Sequence, residues 1–234
     1  MSEAAAVQQD GAGRPIRGAI FDLGGVMTYS VFGRPRDVDP ELLAMAAFFL
    51  QELHEVYALP TGAHDLHRLE TGRLSEADFF TRLCERYAAA GHRRLDPEEV
   101  RRTVFSRKLT ACAAMVDAVR QVKAAGYRTA LLTNNAREWE SAWRSLVPVD
   151  ELFDTVIDSS VVGLRKPDPE IYRLTCERLG LDAEECFFVD DLECNIDAAA
   201  QLGMKTLLCV GPEQAADEVA RRLLGRSVAI EDDR

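Results

Sequence analysis

The chain has 234 residues, 47% of them hydrophobic, so it can bury a full core and is long enough for one large domain with a smaller insertion. With 39 acidic and 28 basic residues the formal net charge is -11, which argues against the basic surface that a nucleic-acid partner requires. The six cysteines include no Cys-x-x-Cys pair, and the longest apolar stretch, residues 42–50, is too short to cross a bilayer, so we predict a cytoplasmic protein with reduced thiols and no membrane partner.

The first predicted strand leads to a lone aspartate. Residues 1–15 before it are polar, lack the apolar core of a signal peptide and are predicted to form a flexible arm. The apolar run that begins at Gly18 ends at Asp22, and the double glycine Gly24-Gly25 lets the backbone turn sharply after it. Ligands of open parallel sheets bind beyond the carboxyl ends of the strands, which makes Asp22 a candidate functional residue. On this stretch alone, an aspartate that caps a helix or stabilises a turn fits equally well.

Residues 34–109 have a helical pattern without a strand-like run. Four helices are predicted: one from Pro40 that is apolar over much of its circumference, one over residues 62–70, one that begins with a capping box at Ser75, and one that Asp96 caps. Four helices inserted between one strand and the rest of a sheet indicate a separable cap. We expect the apolar first helix to be packed on several sides within this cap rather than to form a dimer face, and a monomer and a homodimer both remain open.

The segments 16–33 and 110–226 are predicted to form an α/β core. Three times a helix ends in glycine and an apolar strand follows, and one more strand is predicted at residues 155–158. The three strands that follow glycines are residues 129–133, 186–190 and 206–210. Because near-continuous apolar strands are buried on both faces, we predict a doubly wound, Rossmann-like parallel sheet with an inserted all-helical cap. Residues 227–234 are predicted to form a C-terminal tail, which is charged and frayed from Glu231 to Arg234.

Polar groups follow an apolar run at four places in this core. They are Asp22, then Thr133 with Asn134, then Lys166, then the pair Asp190-Asp191. This order of carboxylate, hydroxyl with amide, lysine and paired carboxylates resembles the four motifs of the haloacid dehalogenase-like hydrolase superfamily, and the resemblance spans nearly the whole chain. The Asp-Leu-Gly-Gly-Val form of the first motif and the helical insertion are similar to the subgroup that contains the N-terminal phosphatase domain of soluble epoxide hydrolase and bacterial sugar-phosphate phosphatases.

These residue types suit the hydrolysis of a small phosphorylated metabolite. Asp22 is the predicted nucleophile and would form an aspartyl-phosphate that water later opens. Thr133 and Asn134, with backbone amides near the following helix, would hold the phosphate oxygens by hydrogen bonds. Lys166 would bind phosphate as a point charge and offset the carboxylates around it.

A magnesium ion is expected among the carboxylates. Three carboxylates that converge on one crevice repel each other, and at least one would take up a proton unless a cation lay between them. Mg²⁺ fits, because it binds through a few carboxylates, waters and a substrate phosphate. The resemblance implies that Asp22, Asp191 and the backbone carbonyl of Gly24 bind the ion, while Asp190 either binds it directly or lies behind these ligands.

Gly24 departs from the pattern of the superfamily, because most of its phosphatases carry a second aspartate there that protonates the leaving group. A positioned acid is worth ~10²- to 10⁴-fold in rate. Three explanations follow: a substrate with a stable leaving group, such as a sugar 1-phosphate or acyl phosphate; a proton supplied from the cap by His64, His67 or Glu70; or a protein that binds phosphorylated ligands with little turnover. A haloacid dehalogenase also uses an aspartate nucleophile and lacks the second aspartate, but it needs no metal, so the Asp190-Asp191 pair favours phosphate.

Overall fold

The computed structural model describes residues 14–29, 40–57, 59, 61–105 and 110–225. The predicted C-terminal tail and almost all of the N-terminal arm lie outside the described residues. So do both predicted boundaries of the cap, at residues 34 and 109, and the cap limits therefore stay a prediction.

The core is a five-stranded parallel sheet, as the sequence predicts. Its strands are β1 (Gly18–Phe21), β2 (Arg128–Thr133), β3 (Thr155–Asp158), β4 (Cys186–Asp190) and β5 (Lys205–Leu208). Their spatial order is β3-β2-β1-β4-β5, and every neighbouring pair runs parallel. The last strand ends at Leu208 rather than Val210, because Val210 is exposed beyond the sheet.

Helices cover both faces of this sheet. All helices of the described residues are, in chain order, α1 (Pro40–Val56), α2 (Asp65–Glu70), α3 (Glu76–Ala89), α4 (Pro97–Phe105), α5 (Ala113–Ala124), α6 (Glu140–Arg144), α7 (Val149–Leu152), α8 (Ser159–Val162), α9 (Pro169–Leu179), α10 (Glu193–Gln201) and α11 (Pro212–Leu224), with short 3₁₀ turns at Arg137–Trp139 and Ala183–Glu185. The helices that cover the sheet come from the segment after α4. Phe21 packs with α5 and α11 on one face, whereas Ile20 packs with α9 and α10 on the other. Alternate side chains of one strand therefore enter two different cores, which is the doubly wound arrangement.

Helices α1 to α4 lie between β1 and β2 in the chain and share a separate hydrophobic cluster around Phe79, Phe80 and Leu83. Below, the cap means these four helices and the described residues that connect them. Two predicted helix starts are confirmed: the Ser75 hydroxyl accepts the Asp78 backbone N–H at 3.1 Å, and the Asp96 carboxylate accepts the Glu98 N–H at 2.8 Å. These caps explain why α3 and α4 begin where they do.

The expectation that α1 is packed on several sides is wrong. Met45 is buried, but Leu43 and Leu50 are 39% and 44% exposed. The helix runs on to Val56 and turns only one face towards α3, because the cap offers it no second layer of helices in the described part of the chain. The apolar residues on the other sides of α1 are therefore not evidence that those sides are buried.

Glycines end the helices that precede three strands, as predicted. Gly126, Gly180 and Gly203 have φ of +94°, +66° and +93°, values that side chains other than glycine rarely adopt. The cysteines other than Cys194 are buried, and all six are free thiols, which agrees with their interpretation as small hydrophobic residues. Among the described helices, none has both the length and the apolar content needed to cross a bilayer.

Candidate active site

The predicted site residues meet where the order of the strands reverses. Asp22 directly follows β1, Asp190 ends β4, and these two strands are neighbours in the sheet. The backbone N–H of Asp22 donates to the Val189 carbonyl oxygen at 3.0 Å, which extends the pairing by one residue and fixes the start of the turn. Thr133 ends β2 on the other side of β1. In doubly wound sheets this reversal point is where ligands bind.

Lys166 joins two of the carboxylates. Its Nζ lies 2.7 Å from Asp22 Oδ1 and 2.6 Å from Asp190 Oδ2, and its side chain is only 2% exposed. Burial alone would lower the pKa of Lys166, but the charges of Asp190 and Asp22 outweigh burial and raise that pKa above its usual value. The ammonium group is therefore charged at neutral pH and holds the two carboxylates together.

Three carboxylates converge on this lysine. Oxygen atoms of Asp22, Asp190 and Asp191 all lie within 4.8 Å of one another. Burial raises the pKa of Asp22 to about 7, with Lys166 opposing the rise and the other two carboxylates adding to it. Burial and the charge of Asp190 raise the pKa of Asp191 to about 6. Three negative charges against one ammonium leave two uncompensated, which is the charge balance of a divalent cation site.

Asp190 is held by hydrogen bonds to both of its oxygens. Oδ1 accepts the Leu192 backbone N–H at 2.9 Å and the Asn195 side-chain amide at 2.9 Å, while Oδ2 accepts from Lys166. The Asn195 amide therefore orients this carboxylate. These three hydrogen bonds leave Asp190 with one free acceptor position, on Oδ2, so the ligand role falls mainly to Asp22 and Asp191.

Gly25 makes room for Asp191. Its φ is +73°, and a Cβ atom there would lie 2.2 Å from Asp191 Oδ2. A side chain at this position would push the carboxylate out of the site, so the second glycine of the motif has a steric purpose.

The first glycine of the motif has no such purpose. Gly24 is exposed, its φ is not positive, and a Cβ atom there would meet nothing within 4 Å. The backbone would therefore accept an aspartate at this position, and the missing acid is a chemical property of this chain rather than a consequence of packing.

Thr133 and Asn134 lie beside the lysine. The Asn134 side chain accepts the Lys166 backbone N–H at 2.8 Å and donates to the Lys166 carbonyl at 2.9 Å, so it fixes the lysine loop. The Thr133 hydroxyl lies 3.5 Å from the Asn134 carbonyl oxygen, the weak limit of a hydrogen bond, and stays available for a ligand. Their contact with phosphate stays a prediction, and for Asn134 it would come from the backbone N–H.

The two histidines considered as proton donors are used inside the cap. The Nδ1 atom of His64 accepts the Leu66 backbone N–H at 3.1 Å, which caps α2. His67 is fully buried; its Nδ1 accepts the Gly62 N–H at 3.2 Å and its Nε2 lies 3.0 Å from the Val56 carbonyl oxygen. Both ring nitrogens of His67 have structural partners, so its ring is fixed away from proton transfer.

Glu70, the third candidate, pairs with a residue that the sequence analysis did not single out. Its Oε2 accepts from Arg165 Nε at 2.6 Å, and the two side chains are 9% and 1% exposed. The Arg165 guanidinium also lies 5.6 Å from the ring centroid of Tyr57. This buried ion pair connects α2 of the cap with the lysine loop of the core. The only local signal was an Arg-Lys pair before Pro167, which is typical of a solvated loop.

Comparisons with known proteins agree with this arrangement. A family model described as haloacid dehalogenase-like hydrolase matches residues 16–203. The chain is 42% identical over 112 residues, 47% of its length, to acyl-CoA dehydrogenase family member 10 of Mus musculus, and spans 10% of that protein. It is 29% identical over 219 residues, 88% of its length, to bifunctional epoxide hydrolase 2 of Sus scrofa, and spans 38% of that protein. The chain thus covers well under half of these relatives.

Solved structures share the fold. A HAD family enzyme of Bacteroides thetaiotaomicron, in complex with magnesium and inorganic phosphate, superimposes with a TM-score of 0.58 and 22% identity, covering 82% of this chain and 93% of that one. An L-2-haloacid dehalogenase superimposes with a TM-score of 0.61 and 19% identity, covering 82% and 86%. At these identities the likeness supports the fold alone, and it includes both a phosphate-bound enzyme and a dehalogenase.

Proposed function

The chain belongs to the haloacid dehalogenase-like hydrolase family, and from that premise we propose that it is a magnesium-dependent phosphatase acting on a small phosphorylated metabolite through an aspartyl-phosphate on Asp22. The observation that carries the proposal is the buried Lys166 between Asp22 and Asp190, beside the third carboxylate of Asp191. The site thus contains a carboxylate that can act as nucleophile and a fixed positive charge that can bind phosphate. It also has excess negative charge, which can bind a cation.

The donor atoms fit Mg²⁺. All are hard oxygens, and the two carboxylates with raised pKa values, Asp22 and Asp191, are the ones that a cation would restore to the ionised form. We propose that these two and the backbone carbonyl of Gly24 bind the ion, with Asp190 positioned behind them. When bound, Mg²⁺ would neutralise phosphate charge and keep the nucleophile ionised at neutral pH.

The chain's own residues then perform the chemistry. An Asp22 oxygen attacks phosphorus and the bond from phosphorus to the ester oxygen breaks, so the leaving group departs with the electron pair of that bond. Lys166, the Thr133 hydroxyl and the Asn134 backbone N–H hold the phosphoryl oxygens in line. Water then attacks the phosphorus of the aspartyl-phosphate, which releases inorganic phosphate and returns the Asp22 carboxylate.

The leaving group receives no proton from residue 24. Because the rings of His64 and His67 have structural partners and Glu70 is paired with Arg165, we favour the explanation in which the leaving group is stable by itself. Sugar 1-phosphates and acyl phosphates are the substrate classes that meet this condition, since the anomeric and carboxylate leaving groups need less protonation.

The experiment is a phosphate-release screen of sugar phosphates, acyl phosphates and nucleotides, with Mg²⁺ or with a chelator. We expect release that requires Mg²⁺, that is highest for acyl and 1-phosphates, and that is lost in Asp22→Asn. Asp150→Asn is the matched control, because its side chain is 99% exposed and its helix, α7, leads into the amino end of β3, whereas the site lies at the carboxyl ends of the strands. Turnover that the chelator leaves unchanged would contradict the proposal and favour the dehalogenase, and ligand binding without release on any ester would favour a binding protein.

A cytoplasmic location, a monomeric or homodimeric state and the lack of nucleic-acid or membrane partners belong to the same proposal. The net charge of -11 supports the lack of a nucleic-acid partner, and the absence of a membrane-spanning helix among the described residues supports the lack of a membrane partner.

A further inference from the structure

One donor group beside the candidate active site has no hydrogen-bond partner in the described part of the chain. It is Nη2 of Arg165, whose side chain is 1% exposed. Buried polar groups are almost always paired, because an unmet donor forfeits the hydrogen bonds that it made with water. An arginine that only had to neutralise Glu70 would not need a second donor edge in a buried place.

This arginine belongs to the same loop as the lysine of the proposed phosphate site. Arg165 directly precedes Lys166, whose Nζ contacts Asp22. Burial raises the pKa of the nearby Tyr57 phenol; Glu70 adds to the rise, Arg165 opposes it, and Asp191 adds further. The Arg165 guanidinium lies 5.6 Å from the centroid of the Tyr57 ring, and the charge of Asp191, a proposed metal ligand, acts on the same phenol.

The pair also joins the two parts of the molecule. Glu70 ends α2 of the cap, whereas Arg165 belongs to the lysine loop of the core. A substrate whose phosphoryl group is held by Lys166 would extend between these parts, and its remaining atoms would meet the free edge of the guanidinium.

Accepting the proposed function, we propose that Arg165 binds a carboxylate of the substrate through Nη2, so that among phosphorylated metabolites with the same kind of leaving group those that also carry a carboxylate are preferred. A guanidinium edge matches the planar carboxylate. The Arg165–Glu70 pair is neutral as a unit, so a singly charged carboxylate is favoured over a second phosphate, which Glu70 would repel more strongly. The free donor then has the partner that it lacks.

The test compares two esters that differ in one group. 3-Phosphoglycerate carries a carboxylate where glycerol 3-phosphate carries a hydroxymethyl group. With Mg²⁺ present, we expect kcat/KM of the wild type to favour 3-phosphoglycerate about 10-fold or more, the ratio that one charge-assisted hydrogen bond supplies. In Arg165→Met this ratio should fall to about one. Equal kcat/KM values in the wild type, or an unchanged ratio in the variant, would overturn the inference.

Arg137→Met is the matched control. Arg137 also lies between cap and core, but it is exposed and its Nη2 donates to the Ser160 carbonyl at 3.1 Å, so the ratio should stay at the wild-type value. If Arg165→Met does not fold, as circular dichroism would show, Arg165→Lys takes its place: it keeps the charge opposite Glu70 but loses the second donor edge, and the ratio should fall again.

Binding separates this inference from the proposed function. Calorimetry on Asp22→Asn should give a Kd for 3-phosphoglycerate about 10-fold lower than for glycerol 3-phosphate, and a further Arg165→Met change should remove the difference. If the wild type releases phosphate neither from these esters nor from acyl phosphates, the phosphatase proposal fails while this Kd ratio still decides the role of Arg165. Equal Kd values would overturn that role whatever the enzyme does.

Discussion

Replacement of Lys166 by methionine should destabilise the protein strongly and in a pH-dependent way. The side chain is buried and contacts Asp22 and Asp190 at 2.7 and 2.6 Å. At an effective dielectric constant of about 20, each contact supplies roughly 6 kcal/mol of Coulomb attraction, against which stand the desolvation of the ions and the repulsion among the carboxylates. Methionine keeps most of the volume, so charge is the main change.

The net loss can be bounded. Removal of one partner from a buried ion pair costs about 3–5 kcal/mol. For a chain of this length that corresponds to a fall in Tm of roughly 6–20 °C. The loss should be smaller at pH 5.5 than at pH 7.5, because Asp22, whose pKa is already raised to about 7, can take up a proton and so remove the unpaired charge.

Urea unfolding followed by circular dichroism at the two pH values, without added metal, measures both effects. Lys123→Met is the matched control: its Nζ lies 3.2 Å from Asp154 Oδ1, both side chains are 30% exposed, and the loss should stay below about 1 kcal/mol. A loss in Lys166→Met no larger than in this control, or one that does not change with pH, would refute the reasoning.

Two further predictions concern the acid and the cation. Gly24→Asp should fold normally, because a Cβ atom there meets nothing within 4 Å. Its kcat on simple alkyl phosphates should rise by ~10²-fold or more, whereas its kcat on acyl phosphates should change far less. Steady-state kinetics that show no gain on alkyl esters would contradict this prediction. The apparent Kd for Mg²⁺ should rise as pH falls from 8 to 5.5, because protons compete at Asp22 and Asp191, whose pKa values are about 7 and about 6. Calorimetry in two buffers should detect released protons near pH 6, and a Kd independent of pH would contradict the assignment. Without metal the same raised pKa values favour the folded state at low pH, and this contribution is lost as pH rises through 6 to 7.

The sheet and the central site could be predicted because both are encoded locally. An apolar run that stops at a polar group identifies a buried strand and its end, as at Asp22 and Asp190, and parallel strands bring their carboxyl ends to one edge. The register of β1 against β4 then brings the two aspartates together without any information from distant parts of the chain.

The surroundings of the site could not be predicted in this way. Glu70 and Arg165 are 95 residues apart, and nothing near either residue indicates that the other neutralises it. The role of His67 depends on the path of the backbone at Gly62, which the helical pattern does not specify. Helix α1 is apolar on most sides, yet only the packing of the cap decides that Leu50 stays exposed.

The central claim is that Asp22 accepts the phosphoryl group. Acid quenching of the protein during turnover of acetyl phosphate with Mg²⁺, followed by mass spectrometry of its peptides, tests this directly. We expect a phosphoryl group on the peptide that contains Asp22 in the wild type and none in Asp22→Asn. Turnover of acetyl phosphate by the wild type with the phosphoryl group on another residue, or with none on the protein, would contradict it.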